Sequence, residues 1–181
     1  TGTFTVPART TAVFSDMQLV SRSRRFNVDR DTFISGVQPA TYFGNAQTMW
    51  TGFFGQMRPL VHAPVETLPT NAYVDAAYLY LYITEGRGFT NWQNSVVGVQ
   101  VHPVTTAWMP VAVNWSSPWS MAGGDYGPAL SSNHIGSGKL NTWLRLDVTD
   151  AVRDIARGMP NNGFIITNSD ATGVRYGLAT K

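Results

Sequence analysis

The chain has 181 residues, of which 43% are hydrophobic, enough for a cored domain that needs neither a metal nor a disulfide merely to fold. Thirteen basic and 11 acidic residues leave a net charge of +2 without a basic run, which excludes the electrostatic footprint of a nucleic-acid binder. Cysteine is absent, which excludes disulfide and thiolate chemistry, and no apolar run approaches the roughly 18 residues of a membrane span.

Residues 1–25 read as an arm and its connector. Phe4, Val6, Ala8, Ala12 and Phe14 fall on one parity and Thr3, Thr5, Arg9 and Thr11 on the other, the pattern of a strand with one buried face. Pro7 lies on the polar parity and marks an edge or a break. The alternation stops at Ser15, and Arg22, Arg24 and Arg25 gather in the connector that follows.

Residues 26–181 read as a single domain of short strands separated by turn residues. Strands are expected at 32–35, 47–54, 57–65, 73–84, 95–104, 111–115, 143–148, 163–167 and 174–179, a spacing that predicts an all-β sandwich. The clearest is 73–84, where Ala77, Leu79, Leu81 and Ile83 share one face and Tyr78, Tyr80 and Tyr82 the other. It is expected to sit centrally in its sheet with both faces engaged. One short helix is predicted over Thr149–Gly158, with Thr149 as N-cap and Gly158 closing it. The stretch 116–142, rich in Gly, Ser, Pro and Asn, is expected to be the longest loop.

A resemblance follows from the order of several short motifs: Asp31-Thr32-Phe33-Ile34, Tyr42-Phe43-Gly44-Asn45, Arg58-Pro59-Leu60-Val61, Ala77-Tyr78-Leu79-Tyr80-Leu81-Tyr82, Asp147-Val148-Thr149-Asp150-Ala151-Val152 and Asn162-Gly163-Phe164-Ile165-Ile166. From about Asp31 to Lys181 the chain resembles the DNRLRE-type domains, which are similar to carbohydrate-binding modules of jelly-roll fold on extracellular proteins. The resemblance implies a jelly-roll β-sandwich with a closing strand after the segment matching Tyr176–Lys181, where this sequence stops. Residues 4–14 resemble instead the last strand of the C-terminal β-domain of pullulanase-like amylases.

An unpaired edge invites strand addition. The first functional expectation is therefore an extracellular structural subunit that donates Phe4, Val6, Ala8, Ala12 and Phe14 to the open sheet of another copy, building a homopolymeric filament or surface layer; docking of the arm within its own chain is the competing arrangement. The alternative is a carbohydrate-binding accessory module with polysaccharide as its partner. Either places the protein outside the cell or on its surface, as does the low charge with abundant Thr, Ser, Asn and Gly.

For the second reading, Trp108, Trp115, Trp119 and Tyr126 form the candidate sugar-stacking group, since flat apolar sugar faces pack on aromatic rings. Trp108 and Trp115 also match positions that the resemblance assigns to packing. Tyr78, Tyr80 and Tyr82 are expected to pack beneath a covering segment or another subunit, with sugar contact as the lesser role. No cofactor is called for. Calcium is the one ion considered, with Asp31, Asp125 and Asp147, joined by Asp29, as oxygen donors, while Asp31 is more simply expected to bond backbone where its strand begins. His62, His102 and His134 lack ligand spacing, and no nucleophile elbow, zinc motif or phosphate loop is present, so no enzyme is expected. Asn114-Trp115-Ser116 is a glycosylation sequon.

Overall fold

The structure is a computed structural model, and it describes residues 23–70, 72–88, 92–168 and 172–181. The candidate donor residues Phe4, Val6, Ala8, Ala12 and Phe14 lie outside the described residues.

Among the described residues nine strands and one α-helix appear in chain order: β1 (Arg30–Ser35), β2 (Thr48–Gly52), β3 (Met57–His62), β4 (Tyr78–Gly88), β5 (Val96–Pro103), β6 (Ser131–Gly136), β7 (Trp143–Asp147), α1 (Thr149–Ala156), β8 (Phe164–Asn168) and β9 (Val174–Ala179). The strands pair antiparallel in the order β6-β5-β8-β3-β2-β9-β4-β7, with β1 added on β3. The expected all-β, jelly-roll type of sandwich with one short helix is therefore what the chain forms.

Strand parity builds the core. Phe33, Val61, Phe164, Ile166, Leu79, Leu81, Ile83, Leu144, Leu146, Tyr176 and Leu178 point inward to one large cluster. Their neighbours Ile34, Leu60 and Ile165 point the opposite way, into a second cluster with Val104, Trp108, Val113 and Trp119. Strands β1, β3 and β8 are thus buried on both faces, which is why they read as apolar runs. The cover on the second face is the long connection between β5 and β6.

Several expected boundaries shift, each for a visible reason. Residues 111–115 are not a strand: Val113 and Trp115 join the second cluster from a loop, and Asn114 turns back so that its amide donates to Ser117 O at 2.9 Å. Conversely β6 lies inside the expected loop 116–142, and only Ile135 among its six residues is buried. The strand expected from Tyr73 begins at Tyr78, because the backbone before it serves the helix: Arg153 donates to Val74 O and Asp75 O, and Val148 N donates to Ala77 O. Past a register shift between Ile83 and Glu85, β4 leaves β7 and continues on β9 to Gly88. Thr149 is not the N-cap; it is the first helical residue, and its hydroxyl accepts from Ala77 N at 2.9 Å. The Asp147 carboxylate instead accepts from Thr149 N at 2.9 Å. Gly158 follows the helix at φ +104°, a left-handed turn that suits glycine.

At the two ends of the ladder, β6 and β7 come together through side chains. Ser131 Oγ donates to Asp147 O at 2.9 Å and Asn133 Nδ2 to Arg145 O at 3.0 Å, so polar side chains meet β7 carbonyls where no ladder does. The sheet nearly closes on itself at this seam.

Candidate functional site

The open face beside that seam is the candidate site. In the β4–β7 register Tyr78 lies opposite Asp147, Tyr80 opposite Arg145 and Tyr82 opposite Trp143, so all six side chains share one face. The inner face carries Leu79, Leu81, Leu144 and Leu146, all buried. Nothing among the described residues covers the outer face. Trp143 is 62% exposed, Tyr80 49% and Tyr78 39%, while β4 itself sits between β9 and β7, the central position expected of it.

The rings are not equivalent. The Arg145 guanidinium lies 4.1 Å from the Tyr78 ring centroid and caps it, while Tyr82 meets Trp143 edge-on at 5.1 Å. Tyr80 in turn meets Tyr78 edge-on at 6.5 Å, and Tyr80 and Trp143 are the most exposed rings of the four. They are diagonal cross-strand neighbours, whose separation is roughly 7–8 Å. At the Tyr78 end the platform runs into a cleft of about 420 Å³ lined by Asp75, Asp147, Asp150, Ser131 and Arg153 among others. The Thr149 hydroxyl and amide hold the Asp147 carboxyl below the usual carboxylate range, so it is an ionised acceptor at neutral pH.

The aromatic group expected from the sequence is built differently. Trp108 and Trp119 are 4% and 7% exposed, and their indole N–H groups donate to Asn162 O and Asn114 O, each at 2.8 Å. Both rings are consumed by the second cluster and leave no face for a sugar. Trp115 and Tyr126 are half-buried with Arg58 between them, 4.7 and 5.8 Å from the two rings, and Arg58 also donates to Gly123 O at 2.7 Å. Gly123 adopts φ +97°, a conformation that L side chains rarely take, so this corner depends on glycine.

Nor do the calcium candidates meet. Asp125 accepts from Ser120 N, Ser120 Oγ, Met121 N and Thr106 Oγ1, which occupies both of its oxygens and ties the loop together. Led by the Ser120 amide, these donors hold its carboxyl down to about 2. Asp31 accepts from the Lys181 backbone amide at 2.6 Å, so it does bond backbone as the simpler expectation had it. Asp29 pairs with the buried His62 at 2.5 Å, and Asp147 belongs to the open face. Among the described residues no group of three or more His, Asp or Glu could hold a metal ion. His102 is spent between Gly127 O and Thr167 Oγ1, and His134 is exposed on β6. Asn114 of the sequon is 5% exposed, its side-chain Oδ1 accepting from Ser116 N and Ser117 N.

A further aromatic surface has no counterpart among the sequence expectations. On the outer face of β2–β9–β4, Trp50 lies under Arg175 and Arg87, at 4.7 and 5.4 Å, and these two arginines are directly opposed across β9 and β4. Guanidiniums already occupy the indole there, unlike Trp143.

Residues 22–181 match carbohydrate-binding module family 96. The chain belongs to that family. Among curated proteins, none matches the chain. No helix among the described residues is long and apolar enough to cross a membrane.

Proposed function

We propose that the chain is a non-catalytic glycan-binding module of an extracellular protein, and that it binds polysaccharide on the outer face of β4 and β7. The observation that carries this reading is the pair of uncovered rings, Tyr80 and Trp143, held on the only sheet face where several aromatic side chains of adjacent strands stand exposed together among the described residues. Apolar sugar faces stack on these rings, while the Asp75, Asp147 and Ser131 oxygens of the adjoining cleft take hydroxyl hydrogens. Because the ladder beneath fixes the backbone that carries the rings, little backbone entropy is lost on binding.

Self-assembly by a donated strand rests on Phe4, Val6, Ala8, Ala12 and Phe14, outside the described residues, whereas family membership and the open face both favour glycan binding. The test is affinity electrophoresis through gels containing neutral and acidic polysaccharides, comparing the natural chain with the Tyr80→Ala and Trp143→Ala double variant. Two stacked rings at about 0.5–1.5 kcal/mol each beyond area burial predict a loss of about tenfold or more in affinity. Retention that survives the double variant unchanged refutes this placement of the site.

A further inference from the structure

We infer that the core of this domain ends in a built hydration site, where ordered water is held among Ser35, Thr51, Asn168 and Thr172 beneath the β2–β3 turn. The site is independent of the glycan-binding face.

Three strands finish in the same way. On the core-facing parity of β1, Phe33 is followed by Ser35; on β2, Met49 is followed by Thr51; on β8, Ile166 is followed by Asn168. Phe33, Met49 and Ile166 belong to the large cluster, and a side chain two positions further along a strand faces the same interior. Ser35, Thr51 and Asn168 are 1%, 0% and 8% exposed.

The register brings these ends together. Ser35 and Gly52, the residue after Thr51, both lie opposite Met57, and β1 and β8 both pack against β2. A β-carbon on Gly55 would stand 3.3 Å from Asn168 O and 3.7 Å from its Oδ1, which places Asn168 at the β2–β3 turn. Thr172 reaches the same turn, its carbonyl accepting from Phe54 N at 2.8 Å. Yet Ser35 Oγ, Thr51 Oγ1, Thr172 Oγ1 and both polar atoms of the Asn168 side chain make no hydrogen bond to any described residue. Buried polar groups are nearly always paired, and an unpaired cluster at one end of a core would weigh heavily against a fold of ordinary stability.

The donor set says what pairs them. A cation would suit the hydroxyl oxygens, but it would leave the Asn168 amide hydrogens without an acceptor, and none of the four residues carries a charge to offset its own. Water both donates and accepts. It satisfies the amide whichever way that group is turned, while the hydroxyls rotate to suit.

The turn above shows what such a site would hold in place. Gly52, Phe53, Phe54 and Gly55 have φ of +112°, +53°, +57° and +74°, a left-handed run that two phenylalanines enter at a cost. Phe53 N donates to Val174 O at 2.7 Å and Phe54 N to Thr172 O at 2.8 Å, which fixes the turn towards β9. Water bridging Thr51, Asn168 and Thr172 fixes its underside towards the core.

The experiment is water NOE and ROE spectroscopy of the full chain, joined to thermal unfolding of Thr51→Val, Ser35→Ala and their double variant in sodium, potassium, calcium and choline chlorides at matched ionic strength. Water cross-peaks to the Thr51 methyl and Asn168 side-chain protons are expected with NOE and ROE of opposite sign, the mark of a molecule held longer than the protein takes to tumble. Thr51→Val is nearly isosteric and removes one anchor of a shared water, so its Tm is expected to fall by about 1–6 °C. The double variant is expected to lose less than the sum of the single losses, because both residues act through that water. A Thr51→Val chain that melts as high as the natural one or higher overturns the site, as does the lack of those cross-peaks. A natural chain whose Tm rises in one metal salt but not in choline overturns water in favour of a cation.

Discussion

Two groups of aromatic residues in this molecule look alike in composition and differ in everything else. The loop between β5 and β6 holds Trp108, Trp115, Trp119 and Tyr126; the β4–β7 face holds Tyr78, Tyr80, Tyr82 and Trp143. In the first group two indole N–H groups are satisfied by backbone carbonyls and both rings are buried. In the second, the rings stand on the outward parity of strands whose inward leucines are buried. An aromatic residue that is capped by its own backbone belongs to the fold, and one left open on a rigid ladder is available to a ligand.

The sharpest way to break this comparison is to truncate one ring from each group. Trp108→Ala should destabilise the domain by about 3–5 kcal/mol, because it empties the second cluster and leaves Asn162 O without its donor. Trp143→Ala should cost no more than about 1 kcal/mol, the worth of its cross-strand contact with Tyr82. Urea denaturation read by fluorescence and circular dichroism measures both. Equal losses would mean that the exposed ring is a structural element after all.

Part of this division is legible in the amino-acid sequence. The alternation of Tyr78, Tyr80 and Tyr82 with leucines dictates which side chains share a face, and Trp143-Leu144-Arg145-Leu146-Asp147 carries the same alternation, which marks the partner strand of the site. What parity does not contain is whether another segment covers the outward face, a tertiary fact. Strand β6 is hidden because Ser131-Ser132-Asn133-His134 offers no apolar alternation; its place is set by pairing with β5 and by side-chain bonds to β7. Residues 111–115 mislead for the converse reason, since an apolar run that fills a cluster from a loop looks the same as one that fills it from a strand. The loop tryptophans suggest a platform by their proximity in sequence, but burial separates them from that role.

A smaller effect distinguishes the two regions by acid. Hydrogen bonds from the Ser120 amide, from the Ser120 and Thr106 hydroxyls and from the Met121 amide hold the Asp125 carboxyl at about 2, against 3.8 for an unperturbed aspartate. Its folded value lies below its unfolded one, so its contribution is fully present above pH 3.8 and is lost as pH falls towards 2. Asp125→Asn should flatten the stability curve across that window and leave glycan retention at neutral pH unaltered. A loss of retention at neutral pH would tie this loop to the binding face, against the separation drawn above.

The smallest expected effect compares one arginine from each region that lies over an aromatic ring, Arg58 and Arg145. Arg58 lies over Trp115 and also donates to Gly55 O and Gly123 O, so its ring contact is one part of an interior junction. Arg145 lies over Tyr78 on an exposed strand position, where such a contact is worth about 0.5–1 kcal/mol. Arg145→Ala should therefore cost the fold no more than about 1 kcal/mol, and it uncovers a third ring in line with Tyr80. A neutral glycan that can use that ring should bind the variant up to about fivefold more tightly, the equivalent of roughly 1 kcal/mol. Weaker binding would instead make the Arg145 guanidinium a direct hydrogen-bond donor to the sugar, and the capped tyrosine a device that positions the arginine rather than a ring held in reserve.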